Sequence, residues 1–332
     1  MYDIAKISDE EREILFQNTS ERKGMNAAII EKDFWVCLTL DFLFHKCKWK
    51  NSFAFKGGTS LSKVYGLIER FSEDIDLILD WRVIGYSFNE PWEERSNTQQ
   101  SKFIKESQDR LFQYLKEEFL PVFRKEFSEA LGRDINAYIG EDDPGTVKFA
   151  YPRFYEDSSI LQEIRLEIGA LAAWTPTQQA EVTPYVAECY PQVFKMPSTR
   201  ILTTTAERTF WEKATILHQE AHRPEGSKVP ERYSRHYYDL YCMAHRGILE
   251  KALQQKDLLL QVAEFKRKFY PRKWAEYERA SVGTLSLIPA PHNQERLRAD
   301  YSKMRAMIYG DYPSFDEIIE YITIMEQIIN NG

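Results

Sequence analysis

Cysteine is scarce in this 332-residue chain, and its four copies (Cys37, Cys47, Cys189, Cys242) stand far apart with no CxxC pair. That spacing supports neither a disulfide framework nor a zinc knuckle and points to buried, reduced thiols. An apolar run of about 18 residues or more is missing as well, so no transmembrane helix is expected. The opening MYDIAKISDEEREIL carries acids where a secretory leader has a basic start and an apolar run, so a cytoplasmic location away from the membrane is expected. Positive charge is not in excess: 44 Lys and Arg face 51 Asp and Glu, a formal net charge of −7. Coating nucleic acid by bulk attraction is thereby disfavoured, because phosphate binding rests on Lys and Arg, although a local basic groove stays open. Repeats and low-complexity segments are absent. What the chain does have is 43% hydrophobic and 14% aromatic residues, enough for a large core in one large domain or two medium ones.

Hydrophobic periodicity predicts helices over 8–18 and 26–47, the second apolar on most faces and so placed through the core. Phe53–Lys56 reads as a short strand running into the glycine turn Gly57-Gly58, and a helix is predicted over 59–70. Asp74–Leu79, DIDLIL, alternates acid and aliphatic like a strand with one wet and one buried face. An exposed loop over 82–98, a helix over 99–131 and strands at 146–151, 160–168 and 184–190 follow. From about residue 205 the pattern is helical: 206–222, 234–246, 249–269, 291–309 and 314–329. Asn293 or His292 is the expected cap of the fourth of these, and Ser314 with Glu317 forms a capping box for the last. The fold class is α+β, a mixed sheet with helices, expected as a domain over 1–205 followed by a helical domain over 206–332.

The chemistry concentrates where Gly57-Gly58-Thr59-Ser60 is followed, fourteen residues after Ser60, by Asp74-Ile75-Asp76. Strand positions i and i+2 share a face, so Asp74 and Asp76 present two carboxylates side by side. Like charges held that close call for a cation between them. Mg²⁺ or Mn²⁺, with oxygen ligands and substrate phosphates, suits the pair. The paired glycines allow a tight turn and close backbone approach, and the helix opening at Thr59 aims free N–H groups, with the Ser60 hydroxyl, at phosphate. This is no Walker A loop, because GxxxxGK[ST] is missing.

FAFKGGTSLSKVYGLIERFSEDIDLILD resembles the core of the AbiEii/AbiGii-type nucleotidyltransferase toxins, a branch of the DNA polymerase beta-like nucleotidyltransferase superfamily. Glu31-Lys32-Asp33-Phe34-Trp35 resembles that family's early helix, Glu207–Lys213 its first C-terminal helix, and Arg235–Leu240 the following element, with His236 where Asp is often seen. The resemblance implies a metal-dependent transfer of a nucleoside monophosphate from an NTP to an acceptor, the tRNA 3′ end where one is known in the family, with pyrophosphate released and growth arrested. It also implies a cognate antitoxin as partner. Carried over, Asp74 and Asp76 bind metal, Gly57, Gly58, Thr59 and Ser60 hold the triphosphate, and Lys213 matches the essential lysine that neutralises it. Asp239 matches a later aspartate that is either catalytic or a fixer of Lys213 and the fold. The NTP is expected in a cleft that Lys213 and Asp239 complete. Glu167 is the expected third carboxylate, with Glu163, an even step away, as its competitor.

Other features weigh less. His218 and His222 flank Glu220, but HQEAH lacks the Glu directly after the first His that a zincin needs, so a solvated helix face is expected. Lys56, Lys63 and Arg70 either reach phosphates or form surface pairs with nearby acids. Glu73 points to the opposite strand face. Phe210, Trp211, Tyr237, Tyr238 and Tyr241 read as core aromatics or as base-stacking ones, the core being favoured for Phe210 and Trp211. The tract Phe265–Trp274 interleaves cations and aromatics, either as a helix end with its rings turned inward or as a surface for single-stranded RNA. Transfer to a protein hydroxyl or small molecule, or a non-catalytic binding module, are the alternative functions. An intact DxD and lysine disfavour the last.

Overall fold

The computed structural model describes residues 1–72, 74–157, 160–171 and 175–332, which leaves the expectation for Glu73 outside the described residues. The chain divides into one unit formed by Met1–Val64 and Phe71–Thr204 and a second formed by Tyr65–Arg70 and Thr205–Gly332.

The first unit is built on a mixed seven-stranded sheet. Its strands are β1 (Phe53–Lys56), β2 (Asp74–Leu79), β3 (Asn136–Gly140), β4 (Asp143–Ala150), β5 (Ile164–Gly169), β6 (Thr177–Val182) and β7 (Thr199–Thr204), in the order β3-β4-β5-β2-β1-β7-β6. β2 with β5 and β1 with β7 are parallel, and the other neighbours are antiparallel. Helix Ala27–His45 is buried along almost its whole length, as its apolar faces predict. Around it Phe42 stacks on Phe127 with ring centroids 4.6 Å apart, and Trp35 meets Phe149 edge-on. The long helix expected over 99–131 is divided into Asn97–Tyr114 and Leu120–Leu131 by a wider turn at Leu115–Phe119. Pro121, which has no N–H to give the preceding turn, accounts for the widening.

Several local expectations need correction. Residues 184–190 are not a strand: Tyr185–Cys189 is a short helix, and the Tyr185 N–H donates to Asp33 Oδ2 at 2.7 Å. A carboxylate remote in sequence caps its first turn and overrides the strand preference of Tyr and Val. The helix after the glycine turn spans only Gly57–Lys63, with Gly66 at φ +58° just beyond it. β3, β6 and β7 escape the sequence pattern. β6, TQQAEV, buries only Val182, so it lacks the alternation that marks a strand.

The acid pair in Glu31-Lys32-Asp33 has structural work. Glu31 is fully buried and accepts the Phe154 N–H at 2.8 Å and the Tyr155 N–H at 3.4 Å. Burial raises its carboxyl to about 7, against those two donors. A raised acid contributes its stability below its unfolded value, near 4.3, and loses it as pH climbs through about 7. Stability is therefore expected to fall between about pH 4 and pH 7, by up to roughly 3 kcal/mol, read as a declining melting temperature. Glu31→Gln should flatten that slope, and an unchanged slope would place the titration elsewhere.

The second unit is helical: Ala206–Ala221, Arg235–His245, Ile248–Leu253, Lys256–Phe269, Pro291–Lys303 and Phe315–Asn331. Ser314 and Glu317 close both bonds of the expected capping box, and Ile318, Ile322, Met325 and Ile329 turn one face inward. Pro291 rather than His292 or Asn293 opens its helix, since a first-turn residue needs no N–H, and Asn293 is buried. The helix expected over 249–269 breaks at Gln254 and Gln255, which no Gly or Pro announces. Residues 65–70 are strapped into this unit. Arg246 donates to the Gly66 carbonyl and pairs with Glu69 at 2.8 Å, the Tyr309 N–H donates to the Glu69 carbonyl at 3.0 Å, and Arg70 bridges to Ile308.

Candidate active site

β2 places Asp74 and Asp76 half-buried on one face and buries Ile75 and Leu77 on the other, as the alternation of DIDLIL requires. Residues directly opposite in neighbouring strands share a face. Asp76 lies opposite Lys56 on β1 and opposite Glu167 on β5, while Asp74 lies opposite Arg165. Lys56, Asp74, Asp76, Arg165 and Glu167 thus make one polar face across three strands. Glu163 precedes β5 and accepts the Tyr138 hydroxyl at 2.7 Å.

The glycine turn closes tightly on this face. Gly57 has φ +81°, a conformation that favours glycine, and a Cβ there would stand 1.9 Å from Asp76 Oδ2. Thr59 Oγ1 donates to the Asp74 carbonyl at 2.6 Å, and Ser60 Oγ to the Gly57 carbonyl at 3.0 Å, both side chains being buried. The two hydroxyls therefore tie the turn to β2 and to itself. Gly57→Ala should cost about 2 kcal/mol from the left-handed backbone. By pushing Asp76 aside it should also lower turnover roughly 100-fold, given the role expected of Asp76 from the sequence. Melts and rate assays on one preparation check both, and near-native turnover would dissociate Gly57 from Asp76.

Arg165, unremarked in the sequence, stands among the carboxylates. Its Nη2 lies 2.7 Å from Asp143 Oδ2 and 3.6 Å from Glu167 Oε1, and its Nε 4.0 Å from Asp74 Oδ1. Partial burial opposes its charge, but Asp74, Glu167 and Asp143 together raise its pKa above the ordinary arginine value. The readable signal was the alternation Glu163, Arg165, Glu167, which puts a guanidinium between two acids on one face.

The second unit holds Lys213 and Asp239 together. Asp239 is completely buried: Oδ1 accepts Arg70 Nε at 2.7 Å, and Oδ2 accepts Arg70 Nη2 at 2.7 Å and pairs with Lys213 Nζ at 2.7 Å. Burial by itself would raise the Asp239 carboxyl, but Arg70 and Lys213 hold it far below the usual range. Burial pulls Lys213 below its ordinary value, opposed by Asp239 and assisted by Arg70. Both Asp239 oxygens accept from buried cations, an arrangement that holds Lys213 in place. Arg70 is spent on this pair, and Lys63 on Asp33 at 2.7 Å, so acids claim both cations, in buried rather than surface pairs.

Phe210, Trp211, Tyr237 and Tyr238 are core, and Tyr241 is half-buried. His218 is not on a solvated face. It is buried, with Nε2 3.0 Å from the Glu276 carbonyl oxygen and Nδ1 accepting the Ser286 N–H at 3.0 Å. Phe265 and Phe269 turn inward while Tyr270 is exposed. All four cysteines are free, Cys37 and Cys47 buried, Cys189 and Cys242 only partly. No helix among the described residues is long and apolar enough to cross a membrane.

A family model described as nucleotidyl transferase AbiEii toxin, type IV toxin–antitoxin system, matches residues 41–321. No curated protein matches the sequence. Among solved structures the chain is similar to the nucleotidyltransferase toxin MenT4 of Mycobacterium tuberculosis, with 14% identity, a TM-score of 0.45, and coverage of 96% of this chain and 98% of that one. It is also similar to JHP933 of Helicobacter pylori, with 15% identity, a TM-score of 0.37, and coverage of 98% and 94%.

Proposed function

Because the chain belongs to the AbiEii nucleotidyltransferase toxin family of type IV toxin–antitoxin systems, we propose that it transfers a nucleoside monophosphate from an NTP to an RNA acceptor, the tRNA 3′ end, and so blocks growth. The observation that carries this reading is Asp76, set against the bare Cα of Gly57 and opposite Glu167. That juxtaposition supports reading the glycine turn as the phosphate cradle beside the paired carboxylates.

The donor chemistry fits Mg²⁺ or Mn²⁺. Asp74, Asp76 and Glu167 offer only hard oxygen ligands, on one face of adjacent parallel strands. Among the described residues no three His, Cys, Asp or Glu side chains are gathered as a metal site, and Arg165 stands among the three proposed here. Asp74, Asp76 and Glu167 would hold the ions, which would supply charge stabilisation for an in-line displacement at the α-phosphorus. Gly57, Gly58 and Thr59 receive the triphosphate on backbone N–H groups, Ser60 keeps the turn closed, and Lys213, held by Asp239, neutralises phosphate charge. Positioning and neutralisation supply most of the acceleration in such transfers. A cognate antitoxin restrains the activity.

The test incubates the full chain with Mg²⁺, each α-labelled NTP in turn, and total tRNA, beside an Asp74→Ala/Asp76→Ala control. Label on tRNA that vanishes in the control is expected, and it also names the preferred NTP. Label on protein or on a small acceptor would replace the proposed acceptor, and absence of label with every acceptor would overturn the reading.

A further inference from the structure

We propose that Arg165 is a resident cation of the carboxylate face: its guanidinium neutralises Asp74 and Glu167 until an ion is loaded, and loading requires it to withdraw onto Asp143. This rests on the metal assignment given above and concerns what the chain itself brings to that site. Four carboxylates (Asp74, Asp76, Glu167 and Asp143) lie on or beside one face of β2, β4 and β5, with Arg165 reaching three of them. Its tight contact, 2.7 Å, is with Asp143, which is outside the proposed ligand set. Its contacts with the proposed ligands Glu167 and Asp74 are looser, at 3.6 and 4.0 Å. Asp143 is itself held, accepting Thr146 Oγ1 at 2.9 Å on its other oxygen.

That division of contacts gives Arg165 a perch and a pair of releasable partners. A guanidinium does not lose its proton in proteins, so Arg165 yields the site by moving, not by titrating. While it stays, it offsets the like-charge repulsion on β2 and opposes entry of any second cation. A triphosphate arriving at the neighbouring turn supplies phosphoryl oxygens that a planar guanidinium binds in bidentate fashion, partners that replace Glu167 and Asp74 while Asp143 keeps its hold. Arg165 is thus a positioning residue that holds ion affinity down until nucleotide arrives.

The experiment titrates Mn²⁺ alone into the full chain and follows free Mn²⁺ by electron paramagnetic resonance, for wild type, Arg165→Met, Arg165→Lys, Asp143→Asn, the Arg165→Met/Asp143→Asn double variant and Asp76→Ala. Arg165→Met should tighten Mn²⁺ binding on the order of tenfold. Arg165→Lys, which keeps the charge, should stay near wild type. Asp143→Asn frees Arg165 from its perch and should weaken binding, but only while Arg165 is present, so the double variant should behave like Arg165→Met. A purely structural role would move Arg165→Met and Asp143→Asn in the same direction. Unchanged or weaker binding in Arg165→Met, or equal weakening by Asp143→Asn in both backgrounds, overturns the proposal while leaving the metal assignment intact. If wild type and Asp76→Ala bind Mn²⁺ equally, the metal assignment itself fails.

Discussion

Replacing Asp76 with alanine is expected to lower nucleotidyl transfer by about 10³-fold or more while leaving stability within about 1 kcal/mol of wild type. The rate loss follows from the proposed role of Asp76 beside Asp74 and Glu167. The stability argument is independent of it. Asp76 is half-buried, opposite Glu167 on one side and Lys56 on the other and two residues from Asp74 on the same face. Its removal therefore relieves repulsion between acids while giving up a facing cation, and the two effects offset. Alanine also leaves untouched the bonds that close the turn, Thr59 to the Asp74 carbonyl and Ser60 to the Gly57 carbonyl. Label transfer and thermal melts on the same preparation check the two halves. Transfer at the wild-type rate would remove Asp76 from the chemistry, and a large drop in melting temperature would mean that the turn leans on its carboxylate.

The second large effect runs the other way, through stability. Asp239→Ala strands Arg70 and Lys213, both buried, without their shared counter-ion. Breaking a buried ion pair from one side costs about 3–5 kcal/mol, because the remaining charges stay out of water. For a domain of this size that corresponds to roughly 10 °C in melting temperature. Lys213→Met leaves the bidentate Arg70–Asp239 pair whole and removes a desolvated cation, so its stability should stay within about 1 kcal/mol of wild type. Under the proposed mechanism that variant nevertheless loses transfer. A depressed carboxyl stabilises above its unfolded value, near 3.9, and loses that contribution as pH falls toward the folded one. Wild type should therefore weaken below about pH 4 by more than Asp239→Asn does. Equal melts for Asp239→Ala and wild type would show that the three charges are solvated in solution.

What the sequence made legible was local. β1 and β2 appear over the residues expected, because DIDLIL has a two-residue period and the glycines stop the strand before it. Ser314 and Glu317 announce their helix because both halves of the cap lie within four residues. What was hidden depends on partners far along the chain. The helix at Tyr185–Cys189 is capped by Asp33, 152 residues earlier, and Arg70 meets Asp239 across 169 residues. Arg165 was in plain view between Glu163 and Glu167, but its importance lies in Asp143 and Asp74, on two other strands. Periodicity reports which face a side chain takes. It does not report what stands opposite.

The path of the chain has a consequence for the gene. Six codons lying between the glycine turn and the DxD strand encode Tyr65–Arg70, which belongs to the second unit, so the coding sequence of that unit is split by the first. Expressing residues 205–332 alone would give Lys213 and Asp239 without Arg70. Recombination at that boundary would hand a new host the lysine and its aspartate but leave their clamp behind. An exchange of the second unit that is to keep Arg70 on Asp239 has to carry that six-residue strap with it.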